Sequence, residues 1–166
     1  MIDTSSAGRA EDAIRFLLKA VDRFPLDTLR VARSPVSAMT EYLLVDEAPC
    51  GSKVDQDTEL RATGEGKATV RYARHPLEAA DVRRHIEGAK QCTRPAMTWA
   101  DRVSLVLTES LTVKRVAALD ILKEVEGSTT DDERFDTHFA LMTGDLAKML
   151  ADLVNALGGE MNEQTD

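Results

Sequence analysis

The clearest hydrophobic pattern in the chain runs from Phe135 to Gly159. Apolar side chains recur there every three or four residues, which places them along one face of an α-helix. They are Phe135, Phe139, Met142, Leu146, Met149, Leu153 and Leu157. Thr130 and Glu133 match a capping box at the start, and Gly158 supplies a left-handed stop at the end. The pattern predicts a long C-terminal helix from about residue 131 to 157.

One glycine interrupts this predicted helix. Gly144 costs about 1 kcal/mol relative to alanine inside a helix, so its presence needs a structural reason. We expect either a kink, with Thr143 capping a second helical segment, or another backbone packed closely against the glycine. The neighbouring charges Asp145 and Lys148 are predicted to be ordinary surface residues.

Two more helices are predicted in the first 45 residues. A stripe of apolar side chains predicts the first helix from about Arg9 to Phe24, before Pro25. The stripe consists of Ile14, Leu17, Leu18 and Val21. Ser34 and Pro35 suit the first positions of the second helix, which continues through Val36, Met39 and Leu43. Residues 27–32, between the two helices, predict a strand.

From Thr58 the hydrophobic period changes to two, which is typical of strands. The preceding residues 46–57 are rich in acidic residues, proline and glycine and predict a loop, with a hinge near 48–57. Residues 58–63 and 67–73 flank a Gly64-Glu65-Gly66 turn and predict a β-hairpin whose glycines adopt positive φ angles.

The rest of the chain predicts a short helix and a meander. The helix follows His75 and Pro76, buries Leu77, Val82 and Ile86, and stops at Gly88. Strands at about 90–99, 102–108 and 112–117 form an antiparallel meander, and Pro95 places the first of them at a sheet edge or a bulge.

The predicted fold class is therefore α+β, an antiparallel β-meander with flanking helices and a long C-terminal helix. We expect one unit over residues 1–160 and a disordered tail over 161–166.

The composition is typical of a folded protein in a reducing compartment. The chain has 166 residues, of which 43% are hydrophobic. No apolar run reaches the roughly 18 residues that span a bilayer, and the first residues lack the apolar stretch of a signal peptide. Cys50 and Cys92 stand far apart, outside any CxxC or Cys/His cluster. We expect a cytoplasmic protein without disulfides, zinc or membrane contact.

Charge is distributed unevenly along the chain, although the net charge is −8. Residues 61–94 hold eight Lys or Arg against four Asp or Glu, whereas residues 120–166 hold three against twelve. A basic middle and an acidic end are typical of proteins that contact nucleic acid on one surface and use another for repulsion or for binding a partner. The alternative is that both segments are ordinary solvated surfaces.

The sequence predicts no enzyme. His75, His85 and His138 are scattered and none pairs with a cysteine or an acid in a recognised nucleophile or metal pattern. We therefore expect no catalytic residue, no metal site and no cofactor.

Several cations are better candidates for a functional surface. Lys90 and Arg94 share a face of a regular strand, and Lys114 and Arg115 lie two strands away in the same meander. Arg71 and Arg74 end the preceding strand. Contacts to phosphates need only cations spread over a backbone-sized surface. Because aromatic residues make up only 4% of the chain, duplex backbone contact is favoured over stacking on single strands.

Four stretches, in their order and spacing, resemble the C-terminal half of the recombination-associated RdgC family. They are "RRHIEGAK", "MTWADRV", "VKRVAAL" and "FDTHFALMTGDLAKMLADLVNALGGE". The resemblance extends from about Ile2 to Glu160. It implies a nucleoid-associated protein that binds duplex DNA without sequence preference and restrains RecA-driven strand exchange. It also implies a homodimer, which in the family is a ring with a basic inner and an acidic outer surface.

The family's cationic positions correspond here to Arg71, Arg74, Lys90, Arg94, Lys114 and Arg115. Family members are roughly twice as long, and their N-terminal half has no counterpart in this sequence. Two hypotheses follow from that difference. The first is a short DNA-binding modulator of recombination. The second is an acidic interaction module that binds a host RdgC or a recombination enzyme without binding DNA. A phage gene is one possible source of such a module.

Overall fold

Four helices and five strands make up the part of the chain that the structure describes. The computed structural model covers residue 2, residue 4 and residues 6–45, 48–64, 68–74, 77–119 and 131–161, with the backbone alone for 131–134. In chain order the elements are α1 (Ala7–Ala20), α2 (Pro35–Val45), β1 (Ser52–Ala62), β2 (Thr69–Tyr72), α3 (Ala79–Glu87), β3 (Lys90–Trp99), β4 (Val103–Leu107), β5 (Val113–Ala118) and α4 (Asp131–Ala156). They belong to two compact units, residues 1–30 and 31–166.

The smaller unit contains α1, whose first turn is capped by Ser6. The Ser6 hydroxyl accepts a hydrogen bond from the Arg9 N–H at 3.4 Å. The helix ends at Ala20 rather than at the predicted Phe24, because Val21 already has an extended backbone. The strand predicted at 27–32 is also wrong. Residues 27–30 pair with no strand among the described residues, and Val31 makes only an isolated bridge to Glu160.

The larger unit is built on an antiparallel sheet with the strand order β2-β1-β3-β4-β5. β1 and β2 form the predicted hairpin, in which Thr58 lies opposite Tyr72 and Arg61 opposite Thr69. β3, β4 and β5 form the predicted meander. The α+β fold class and the long C-terminal helix are therefore confirmed.

Two predictions near the hairpin are wrong. The loop predicted at 46–57 ends at Gly51, because Ser52 already pairs with Trp99 and begins β1. Gly64 does not adopt the predicted positive φ. Gly66 lies outside the described residues.

Three helices cover one face of the sheet. α2 and α3 begin and end close to the predicted positions, and Gly88 caps α3 as expected. Apolar side chains of α2, α3 and α4 pack with those of the strands in one core. Its fully buried members include Met39, Leu60, Val82, Met97, Val103, Leu105 and Met149. The His75-Pro76 pair that precedes α3 lies outside the described residues.

No described helix of this unit packs on the other face of the sheet, which we call the open face. Directly opposite residues of antiparallel strands share a face, so the strand register assigns its members. They are Lys53, Glu59, Arg61, Thr69, Arg71, Gln91, Arg94, Ala96, Thr98, Ser104, Val106, Lys114 and Ala117. Asp55 belongs with them because it accepts a hydrogen bond from the Thr98 hydroxyl at 2.9 Å. Polar and charged side chains dominate this list, which is why water can cover it.

β3 is the middle strand and carries two irregularities. Pro95 therefore does not lie at a sheet edge, which was one of the two predicted positions. Pro95 lies instead at a bulge, the second predicted position. Between the pairs Val54–Met97 and Thr58–Pro95, β1 has extra residues that no β3 residue matches. The missing proline N–H is tolerated at such a break in the ladder.

α4 runs continuously through Gly144 from Asp131 to Ala156. A Cβ added at Gly144 would meet no atom within 4 Å, so the predicted close packing is wrong within the described structure. Thr143 does not cap a second segment, because its hydroxyl donates a hydrogen bond back to the Phe139 carbonyl at 2.7 Å. Thr130 and the Glu133 side chain of the predicted capping box lie outside the described residues. Gly158 does adopt the predicted left-handed stop, at φ +87°.

Two polar bridges hold the C-terminal half of α4 on the sheet. Arg102 donates two hydrogen bonds to one Asp145 oxygen, at 2.9 and 2.8 Å. Trp99 donates its indole N–H to Asp152 at 2.9 Å. Asp145 is buried, so the prediction that it is an ordinary surface charge is wrong. Of the predicted tail, only Met161 belongs to the described residues.

Candidate nucleic-acid interface

The open face gathers cations from several strands. Of the predicted candidates, Arg71, Arg94 and Lys114 belong to it by register. Arg74 and Arg115 line a groove that also includes the open-face residues Ala96, Ser104 and Val106. Five of the six predicted DNA-binding cations thus lie on the same side of the sheet.

Lys90 is the exception, and a bulge explains why. Glu59 and Leu60 are adjacent on β1 but lie opposite Arg94 and Cys92, which are two residues apart on β3. The extra residue, Thr93, shifts the alternation of side chains by one. Lys90 therefore lies on the helix-covered side of the sheet, and the prediction that it shares a face with Arg94 is wrong.

Three arginines surround one buried carboxylate on the open face. Glu59 accepts hydrogen bonds from Arg71 at 2.8 Å, from Arg61 at 3.1 Å and from the Thr93 hydroxyl at 3.2 Å. The nearest Arg94 nitrogen lies 3.9 Å from a Glu59 oxygen. The Glu59 side chain is only 7% exposed, whereas that of Arg71 is 66% exposed. We call Glu59, Arg61, Arg71 and Arg94 the arginine cluster.

The surroundings of Glu59 keep its carboxylate ionised. The hydrogen bond from Arg71 is the main reason that the pKa of Glu59 lies below its ordinary value, and burial opposes this effect. The nearby Arg94 charge also lowers this pKa. Arg61 additionally bonds to Glu109 at 3.0 Å. The three positive charges of the arginine cluster are thus opposed by Glu59 within it and by Glu109 beside it.

A second carboxylate links distant parts of the sheet. Asp57 lies in the β1 bulge and accepts the backbone N–H of Arg74 at 2.9 Å. It also accepts a hydrogen bond from the Arg115 guanidinium at 3.2 Å. These two bonds, that from Arg74 first, lower the pKa of Asp57. Arg74 and Arg115 have φ angles of 51° and 53°, a left-handed conformation that is uncommon for residues other than glycine.

Two cations on this side are available to a ligand. Within the described part of the chain, the side chains of Arg74 and Lys114 have no hydrogen bond or ion pair, and both residues are exposed. Lys53, by contrast, pairs with Asp101 at 2.7 Å. The open face is therefore a mixture of free cations and cations that already have a carboxylate partner.

The sequence analysis missed Glu59, Asp57 and Arg61 as parts of this surface. Glu59 and Arg61 are two residues apart in a segment of period two, so their shared face was visible in the sequence. The burial of Glu59 was not, because the arginines that make it tolerable come from β2 and β3. Asp57 was missed because residues 46–57 were predicted to form a loop, whereas β1 begins at Ser52.

Other kinds of site find little support in the described residues. They include no group of three or more His, Cys, Asp or Glu that could hold a metal ion. None of their helices is long and apolar enough to cross a membrane. Cys50 and Cys92 are both free cysteines, and burial raises the pKa of Cys92 to about 12.

Comparison with models of known protein families identifies the family of this chain. A family model described as "Putative exonuclease, RdgC" matches residues 1–160. The chain belongs to the RdgC family. The family expected from the four sequence stretches is therefore confirmed.

Relatives named "Recombination-associated protein RdgC" are similar to this chain over nearly its whole length. That of Janthinobacterium sp. (strain Marseille) is 63% identical over 166 residues, which cover 99% of this chain and 55% of the relative. That of Herminiimonas arsenicoxydans is 64% identical over 162 residues, 96% of this chain and 54% of the relative. That of Bordetella pertussis (strain Tohama I) is 57% identical over 162 residues, 96% of this chain and 54% of the relative. The chain thus spans about half the length of the curated relatives it matches.

Proposed function

We propose that the chain binds the backbone of duplex DNA through its open face, without sequence preference, and thereby restrains RecA-dependent recombination in the nucleoid. The observation that carries the proposal is the collection of Arg71, Arg74, Arg94, Lys114 and Arg115 on one side of the sheet. The relatives named as recombination-associated support the process. The proposed role is binding, without catalysis and without a cofactor.

The physical basis is the release of counterions. Each phosphate that a cation neutralises frees condensed ions, so binding weakens steeply as salt is added. Such contacts carry no base information. The surface consists of arginine and lysine side chains on a sheet, and no described helix of the larger unit packs on that side. Such a surface fits contact with the backbone better than readout of bases.

We expect weak binding to unrelated duplexes, with dissociation constants on the order of micromolar near physiological salt. Changing Arg74, Lys114 and Arg115 together to glutamine should flatten the plot of log K against log salt by up to about three units, roughly one per lost phosphate contact. Fluorescence anisotropy with labelled duplexes at several salt concentrations measures both quantities.

The matched control removes three positive charges elsewhere in the same unit. Changing Arg83, Arg84 and Lys90 to glutamine alters the net charge equally, but Arg83 and Arg84 lie on α3 and Lys90 on the helix-covered side of the sheet. Its salt slope should stay near that of the parent. Equal flattening by both variants would contradict the open face as the binding surface, and shortening of the duplex would contradict a role without catalysis.

We further propose that the chain forms a homodimer through the N-terminal half of α4. Phe135 and Phe139 are 68% and 60% exposed, and their rings stack at 6.1 Å between centroids. Adjacent exposed aromatic rings are more typical of an interface than of a free surface.

Changing Phe135 and Phe139 together to serine should weaken self-association at least about tenfold, because two aromatic anchors are lost. Sedimentation velocity over micromolar concentrations measures this. Changing Leu17 and Leu18, which are 40% and 49% exposed on α1, to serine also removes two exposed apolar side chains and should leave association unchanged. A parent that sediments as an 18.2 kDa monomer throughout would rule the dimer out.

The second candidate function is an interaction module that binds an RdgC protein or a recombination enzyme and does not bind DNA. The exposed Phe135–Phe139 pair favours it, since these residues lie beside the exposed acidic residue Asp136. The salt titration separates the two candidates, because the module should bind duplexes weakly and with little dependence on the parent's open-face cations.

A further inference from the structure

The arginine cluster contains its own anion. In proteins that bind phosphate through arginines, the guanidinium N–H groups donate to phosphate oxygens. Here Arg71 and Arg61 already donate to the carboxylate oxygens of Glu59, and Arg94 lies close to the same carboxylate. Glu59 thus has the position and the charge that a bound phosphate oxygen would have.

The exposures within the cluster show which side is open to a ligand. The Glu59 carboxylate is 7% exposed, so it lies beneath the arginines rather than among solvent-facing groups. The arginine side chains above it are 66%, 42% and 32% exposed for Arg71, Arg94 and Arg61. A phosphate can therefore reach the guanidinium groups from solvent, while Glu59 holds them from below.

We propose that Glu59 is an internal competitor of phosphate, a built-in brake on DNA binding by the open face. This proposal rests on the proposed function, because it concerns how Glu59 regulates DNA binding by the same surface. Glu59 neutralises one guanidinium charge and occupies donors of Arg71 and Arg61 that a phosphate would otherwise accept from. Protein affinity for DNA is therefore set below the value that the three arginines alone would give.

The test is Glu59→Gln, which keeps the shape of the side chain and removes its charge. The amide oxygen still accepts from Arg71 or Thr93, so the arginines stay in place. Duplex affinity should rise about three- to tenfold near physiological salt, and the salt slope should steepen by up to about one unit, the effect of one more neutralised phosphate. Fluorescence anisotropy measures both.

Two further variants make the result specific. Glu41→Gln removes the same charge from α2, where Glu41 pairs with Arg33, and should leave DNA affinity within about twofold of the parent. Glu109→Gln frees only one bond, that to Arg61, from a carboxylate that is 42% exposed. It should raise affinity in the same direction by a smaller factor. This variant tests the proposal if Glu59→Gln fails to fold.

A second readout separates this inference from DNA binding itself. Titration with inorganic phosphate, followed by the NMR signals of the arginine side-chain N–H groups, should show tighter binding at Arg71 and Arg94 in Glu59→Gln than in the parent. If the parent and the variant both fail to bind duplex but the phosphate response appears, the proposed function is wrong and so is a brake on DNA binding, whereas the competition between Glu59 and phosphate is supported. Unchanged or weaker DNA and phosphate binding in Glu59→Gln and Glu109→Gln overturns the brake, whatever the parent does with DNA.

Discussion

Replacing Met149 by alanine is expected to lower the free energy of unfolding by about 2–5 kcal/mol. Met149 is 0% exposed and packs in the core between α4 and the sheet. Truncation removes buried methylene and sulfur contacts and leaves a cavity that the strands on the other side cannot fill. Urea denaturation followed by circular dichroism measures the loss.

Met142 provides the matched control for Met149. Both residues lie on α4, two turns apart, so the change in helix propensity on going to alanine is the same. Met142 is partly exposed and does not belong to the core that buries Met149. Met142→Ala should cost less than about 1 kcal/mol. Equal losses at the two positions would show that α4 is not anchored on the sheet through Met149.

The contrast between these methionines shows what periodicity can predict. The apolar stripe of α4 correctly predicted a helix, because residues three and four apart share a face. It did not show where along the helix the partner surface ends. Met149 and Leu153 are buried, while Phe135 and Phe139 continue the same stripe into solvent. Burial depends on the length of the sheet beneath the helix, and this length is a property of other segments.

Strand alternation has a similar limit. The period of two predicted β3 and its neighbours correctly, yet Lys90 and Arg94 lie on opposite faces because Thr93 forms a bulge. A bulge adds one residue without changing the polar and apolar pattern enough to be seen. Five of the six predicted cations therefore lie on one side of the sheet, whereas the bulge places Lys90 on the other side. Asp57, Glu59 and Arg61 were not predicted as parts of this surface.

The partners of the cations could not be predicted, because they come from distant segments. Arg115 bonds to Asp57 across 58 residues, and Arg102 to Asp145 across 43. Local spacing carries no signal for such pairs. Their effect on function is large, since a guanidinium that already holds a carboxylate contributes less to phosphate binding than a free one.

The double change of Arg71 and Arg94 to glutamine is expected to destabilise the protein by about 1–3 kcal/mol at neutral pH, the cost of leaving a buried charged group with too few partners. Among the described residues Glu59 then keeps Arg61 and Thr93 as partners, and it stays buried. Loss of the Arg71 hydrogen bond and the Arg94 charge raises the pKa of Glu59, because these are the main causes that lower it in the parent.

The stability difference between the parent and the double variant depends on pH through the pKa of Glu59. In the parent the pKa of folded Glu59 lies below the unfolded value, so Glu59 contributes stability at neutral pH that is lost as pH falls through the folded pKa. In the double variant the folded pKa is higher, and the contribution shrinks or reverses above the unfolded pKa. The difference between parent and variant should therefore be largest near pH 7. It should shrink as pH falls past the ordinary glutamate pKa of about 4.3 and vanish only below the lower folded pKa of the parent.

A third substitution, Glu59→Gln, should repair the double variant. Adding Glu59→Gln to the double variant removes the buried charge that had lost its partners, so most of the lost stability should return. Arg83→Gln with Arg84→Gln, two exposed arginines on α3, should change stability by less than about 0.5 kcal/mol at any pH. Urea titrations of the parent and these three variants at pH 4 and pH 7 measure the differences. A loss that is independent of pH, or that Glu59→Gln does not repair, would mean that the arginines pack against the sheet through their stems and that Glu59 does not depend on their charge.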